Sequence, residues 1–138
     1  MLNFSVENNL DTSSAKGFWG AEDGFAWVKD ECELYLRDDE ISRQGVRLDF
    51  LIPQSIIDNC GKQTVNVYVN GKKVFDKDYY EQGSESIVIP PDKLELSEHG
   101  EDVYQIAVSC SDSFIPEELG LGNDSRALAI MITYIGRA

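Results

Sequence analysis

Basic side chains are scarce in this chain. It carries 12 Lys and Arg against 25 Asp and Glu, for a formal net charge of -13. A surface of that sign repels nucleic-acid phosphates and anionic lipid headgroups, so neither nucleic acid nor a membrane is an expected partner. It keeps a protein in solution, and it can also gather cations. Histidine is scarcer still. His99 is the only one, and it sits in the polar turn Ser97-Glu98-His99-Gly100-Glu101-Asp102. No Gly-x-Ser-x-Gly or comparable nucleophile frame accompanies it, so it reads as a solvated turn residue.

Cysteine is limited to Cys32, Cys60 and Cys110. An odd number without Cys-x-x-Cys or Cys/His spacing argues against a zinc site and a disulfide framework. Cys32 and Cys110 fall on the apolar phase of alternating segments, which makes them buried free thiols. A reducing, cytoplasmic setting follows. The start, Met1-Leu2-Asn3-Phe4-Ser5, lacks a basic region followed by an apolar run, so no signal peptide is read there. No apolar run has membrane-spanning length. In that setting the sequons Asn3-Phe4-Ser5 and Asn123-Asp124-Ser125 are accidental.

Phosphate-binding loops are missing as well. Gly120-Leu121-Gly122 precedes an apolar strand and is not followed by a Walker-type lysine. Carboxylates are so abundant that no pair of them points to glycoside hydrolysis. Nothing here frames a catalytic residue, and the expectation is a protein without chemistry of its own. No cofactor is expected. Asp38-Asp39-Glu40, and Asp112 with Asp124, offer oxygen ligands for a structural calcium ion, without the spacing of a defined calcium loop.

What is present is alternation. Cys32, Leu34 and Leu36 share one phase of Glu31 to Arg37. Val46, Leu48, Phe50 and Ile52 share one phase of the next segment, and Val65, Val67 and Val69 of the one after. This is the pattern of strands with one buried and one wet face. Asn70-Gly71 supplies a two-residue hairpin turn, because both residues tolerate positive φ. Lys72 to Asp76 returns from it. Ser86 to Ile89 is stopped by Pro90-Pro91. Val103 to Cys110 alternates again. Ala127 to Ile135 is apolar in both phases, with Leu128, Ile130, Ile132 and Tyr134 in one. Such a strand is central and covered, or it meets a partner. Pro53 to Asp58 and Pro116-Glu117-Glu118-Leu119 are short helical turns, the second with proline first and acids following. Asn8 to Lys16 is polar and reads as a loop. The expected fold is all-β: an antiparallel two-sheet β-sandwich or jelly roll, with one or two helical turns and a single domain over residues 1–138.

Trp19, Phe25 and Trp27 stand among Gly17, Gly20 and Gly24, with Glu22 and Asp23 between them. Aromatics in such a glycine-rich stretch either close one end of the sandwich or form a platform for a sugar ring. Trp27 runs directly into a strand, which favours a core role. Trp19 and Glu22 are the better contact residues. Arg126 opens the most apolar strand and needs a carboxylate, with Asp124 and Glu22 as the natural partners. That pair either fixes a loop or walls a pocket. The candidate ligand-binding set is therefore Trp19, Glu22, Trp27, Asp124 and Arg126.

These motifs, in order, resemble a family. Gly17-Phe18-Trp19-Gly20-Ala21-Glu22, Phe25-Ala26-Trp27, Val69-Asn70-Gly71, Asp112-Ser113-Phe114-Ile115-Pro116 and Asp124-Ser125-Arg126-Ala127-Leu128 look like a β-sandwich module found beside bacterial glycosyltransferases. That pattern often has arginine before the tryptophan, where this chain has Ala26. The resemblance implies a non-catalytic, carbohydrate-binding-like accessory module of bacterial surface-polysaccharide synthesis. Its partners would be a glycan and a glycosyltransferase or a neighbouring protein. The competing expectation is a protein-interaction or self-association module that binds no sugar.

Overall fold

A computed structural model describes residues 2–3, 15–22, 24–37, 41–94 and 103–138. Among these, the strands are β1 (Leu2–Asn3), β2 (Lys16–Glu22), β3 (Phe25–Arg37), β4 (Val46–Ile52), β5 (Gln63–Val69), β6 (Lys72–Tyr79), β7 (Gly83–Ile89), β8 (Val103–Cys110) and β9 (Met131–Arg137). Two short helices, α1 (Ile41–Gln44) and α2 (Gln54–Cys60), and two 3₁₀ turns, Pro91–Lys93 and Pro116–Leu119, connect them. Every strand pair is antiparallel. The all-β expectation holds.

Alternation sets the strands. In β4 and β5 the burial alternates residue by residue, with Val46, Leu48, Phe50, Ile52 and Val65, Val67, Val69 inside. Asn70 (φ 52°) and Gly71 (φ 84°) form the turn that sets Val69 against Lys72. Both central residues have positive φ, which is the geometry that matches strand twist in a tight hairpin. Gly61, with φ 82°, ends α2 and returns its N–H to Ile57. The turn expected at Pro53 to Asp58 is this helix, and the one at Pro116 to Leu119 is a 3₁₀ turn.

The ladder order is β6-β5-β8-β3-β9-β4-β7, with β1 added to β9 and β2 to β3. In a flat sheet β6 and β7 would lie six spacings, or about 29 Å, apart. Only Tyr80, Glu81 and Gln82 join them, and so short a link reaches about 14 Å at most. The sheet must therefore roll nearly closed. Side chains confirm it: the rings of Phe50 on β4 and Tyr79 on β6 meet edge to face at 5.6 Å. Burial, and then the Glu85 carboxylate on β7, push the Tyr79 phenol up to about 12. The core lies inside the roll and includes Leu34, Phe50, Ile106, Ile130 and Ile132, each almost wholly buried. Burying side chains of that size stabilises the fold by about 1.5–3 kcal/mol each before entropy is counted.

β9 is central, between β3 and β4. A shift in register faces Asp49 with Tyr134 but Phe50 with Ile132, leaving Thr133 as the extra residue. This bulge changes the phase read from the sequence. Ile132 and Ile135 both enter the core cluster, and Tyr134, also buried, packs under the Arg47 guanidinium at 4.1 Å. Among the described residues, no helix is long and apolar enough to cross a membrane.

Candidate functional site

The glycine-rich stretch around Trp19 is extended. It is strand β2, folded back on β3 through Gly24, with register shifts between Lys16 and Phe18 and between Phe18 and Ala21. Alternation is broken at those shifts, which is why the sequence did not read as a strand. Gly17 is essential to the approach. A Cβ there would lie 2.0 Å from the Glu31 carbonyl oxygen, and its φ is +81°.

β2 carries Trp19 to the segment before β9. The indole Nε1–H donates to the Ala127 carbonyl at 2.8 Å. The Lys29 ammonium lies 4.7 Å from the ring centroid and the Arg126 guanidinium 5.9 Å. Arg126 takes Asp124 as its carboxylate. Its Nε donates to Oδ1 at 3.0 Å and its Nη2 to Oδ2 at 2.8 Å, while its backbone N–H donates to Oδ1 at 3.0 Å. This two-pronged grip holds the Asp124 carboxyl well below its usual range, at about 2. The Asp124 carbonyl accepts the Glu117 N–H at 2.9 Å. Phe114 and Leu128 exchange backbone hydrogen bonds at 2.9 and 2.8 Å. Trp27 then meets Phe114 edge to face at 6.0 Å.

Trp19, Trp27, Asp124 and Arg126 are thus gathered along one seam. Their polar groups are largely engaged with one another and with backbone, as a staple on the 114–128 segment. Glu22 pairs through its backbone with Phe25; its side chain lies outside the described residues. So do Asp23, His99, residues 4–14 of the polar N-terminal region, and the Asp38-Asp39-Glu40 run. Asp124 would have to surrender Arg126 to hold a cation. Among the described residues, no cluster of three or more His, Cys, Asp or Glu could hold a metal ion.

Burial makes the thiols of Cys32 and Cys110 poor nucleophiles, Cys110 being pushed up to about 12. The three cysteines are free.

A different site opens on the outer face of β3, β8 and β5. The register places Glu33, Ala107 and Tyr68 on one rung across the three strands. The next rung holds Glu31, Ser109 and Asn66. Two strand spacings separate Glu33 from Tyr68, about 9.5 Å, and the small Ala107 between them leaves a hollow. The resulting cleft has a volume of about 420 Å³ and is closed at one side by Lys16 and Gly17 of β2. Its walls are positioned. Lys16 lies 3.6 Å from Glu33, and the Gln105 amide donates to the other Glu33 oxygen at 3.0 Å. The Asn66 amide donates to the Ser109 hydroxyl at 3.2 Å. A ring, two carboxylates and a hydroxyl line the cleft around the Ala107 methyl, a mix of one apolar contact and several polar groups of the kind that small-ligand sites use.

Sequence reasoning missed this cleft because its strands are not neighbours in the chain. It also missed Gln63, the buried polar residue at the start of β5. Its amide accepts from the Asp112 N–H at 3.0 Å and donates to the Asp112 carbonyl at 2.8 Å, tying β5 to the turn after β8.

No protein-family model matches the chain, and no curated protein matches it significantly.

Proposed function

We propose that this domain is a non-catalytic carbohydrate-binding module and that the Glu33–Ala107–Tyr68 rung is its sugar seat. The observation that carries the reading is the hollow itself. It is about as wide as one sugar ring, with a phenol on one side for the ring's C–H face. A carboxylate on the other side accepts hydroxyls, and a methyl group forms the floor. The resemblance of the motif order to modules beside bacterial glycosyltransferases supports a place in surface-glycan synthesis, with a transferase or its neighbour as partner. The free thiols support a reducing, cytoplasmic setting. The reading treats the rolled sheet as a two-layer jelly-roll body, which the Phe50–Tyr79 contact across the interior supports.

Ala107→Leu tests the proposal. The new side chain fills the hollow from the outer face. Titration with neutral oligosaccharides, followed by backbone amide NMR, should show shifts at Ala107, Ser109 and Tyr68 in the parent and none in the variant. Equal binding by both would remove the site.

A second reading, a docking module without sugar, has one specific observation behind it. Leu119 and Leu121 are exposed, at 39% and 59%, on the segment that the Asp124–Arg126 pair holds in place. Light scattering separates the self-associating form of this reading from the first: a strict monomer at all concentrations excludes it.

A further inference from the structure

We infer that the cleft selects saccharides carrying a free, protonated amino group over their N-acylated and carboxylate-bearing counterparts. This rests on the cleft being a sugar site and specifies which sugars it takes.

Charge is distributed unevenly around the cavity. The charged side chains lining the cleft are Glu31, Glu33 and Lys16. Lys16 and the Gln105 amide both engage Glu33, so that carboxylate is already balanced. Glu31 has no ion-pair partner among the described residues. The nearest cation on its own strand, Lys29, is drawn over the Trp19 ring instead.

Glu31 therefore brings an unbalanced negative charge to the cleft. It faces Ser109, one rung from Ala107, which is two residues or about 6.8 Å along the strand. A pyranose seated on Ala107 directs the substituents of one edge toward that rung. An ammonium there meets Glu31. An N-acyl group brings bulk without charge, and a sugar carboxylate meets repulsion from Glu31, in a chain whose net charge is -13.

The probes are oligomers of glucosamine, N-acetylglucosamine, glucose and glucuronate, titrated into the folded domain at low ionic strength. Amide NMR reports both affinity and location. The glucosamine oligomer should bind about fivefold tighter than the N-acetylated one, as an exposed ion pair allows. Glu31→Gln should bring that ratio to about one. The inference is overturned if the N-acetylated or acidic oligomer binds as tightly as the amino form. It is also overturned if the preference persists in Glu31→Gln, because the attraction would then be bulk charge. In both cases shifts at Ala107 and Ser109 with glucose oligomers would leave the sugar seat standing. If no oligomer of any kind shifts those residues, the seat and its selectivity fail together.

Discussion

The Trp19–Arg126 seam and the Glu33–Ala107–Tyr68 cleft use similar side chains to opposite ends. Each has an aromatic ring, carboxylate and cation. In the seam the indole N–H is on a carbonyl, the guanidinium is forked onto a carboxylate, and cations lie near the ring. In the cleft Tyr68 and Glu31 border open volume. What separates a staple from a site is saturation: how many donors, acceptors and ring faces are left for something else.

Disrupting β2, the strand that serves both regions, should have the largest effect. Gly17→Val would drive a side chain into the Glu31 carbonyl at a φ of +81°. A loss of about 3 kcal/mol or more is expected in chemical denaturation. Unchanged stability would mean that β2 does not approach β3 so closely.

Next come the two aromatics, compared directly. Trp19→Ala should cost about 2 kcal/mol of stability, less than a full core truncation because Trp19 is half-buried. Tyr68→Ala should leave the melting temperature near the parent's and weaken the proposed sugar binding about tenfold. If Trp19→Ala instead abolishes sugar binding while the fold holds, the two roles are reversed. A finer cut is Trp19→Phe, which keeps the ring and loses the hydrogen bond to Ala127. About 1 kcal/mol should be lost, read from urea midpoints at unchanged slope.

The smallest effect is on acid titration. The Asp124 carboxyl is held at about 2, below its ordinary 3.8, chiefly by its side-chain hydrogen bonds from Arg126. A depressed acid contributes stability that is complete above its unfolded-state value. That stability is lost as pH falls from about 4 toward 2. Asp124→Asn should flatten this part of the stability–pH curve; an identical acid limb in both proteins would show that the pair contributes nothing.

Much of the frame was legible. Val46–Ile52 and Val103–Cys110 follow the residue alternation, and Asn70-Gly71 turns as its chemistry demands. Asp124 was a natural partner for Arg126 because two residues of chain place them together. β2 was hidden by its irregular register, and the placing of Ile132 and Ile135 in one core cluster by a bulge that no periodicity announces. The cleft was hidden for a different reason. Alternation shows that Glu33, Tyr68 and Ala107 face outward, but not that β8 lies between β3 and β5. Neighbourhood in a sheet is a property of topology, and each strand's pattern is blind to it.

The position of β9 has a consequence for how the chain reaches this state. It is the last strand in chain order, yet it lies between β3 and β4, which do not pair with each other in the ladder order. Until β9 docks between them, β3 and β4 share no ladder, and each presents an unpaired edge. Closure of the core therefore waits on contacts between residues distant in sequence, which makes folding slow and its intermediates prone to associate.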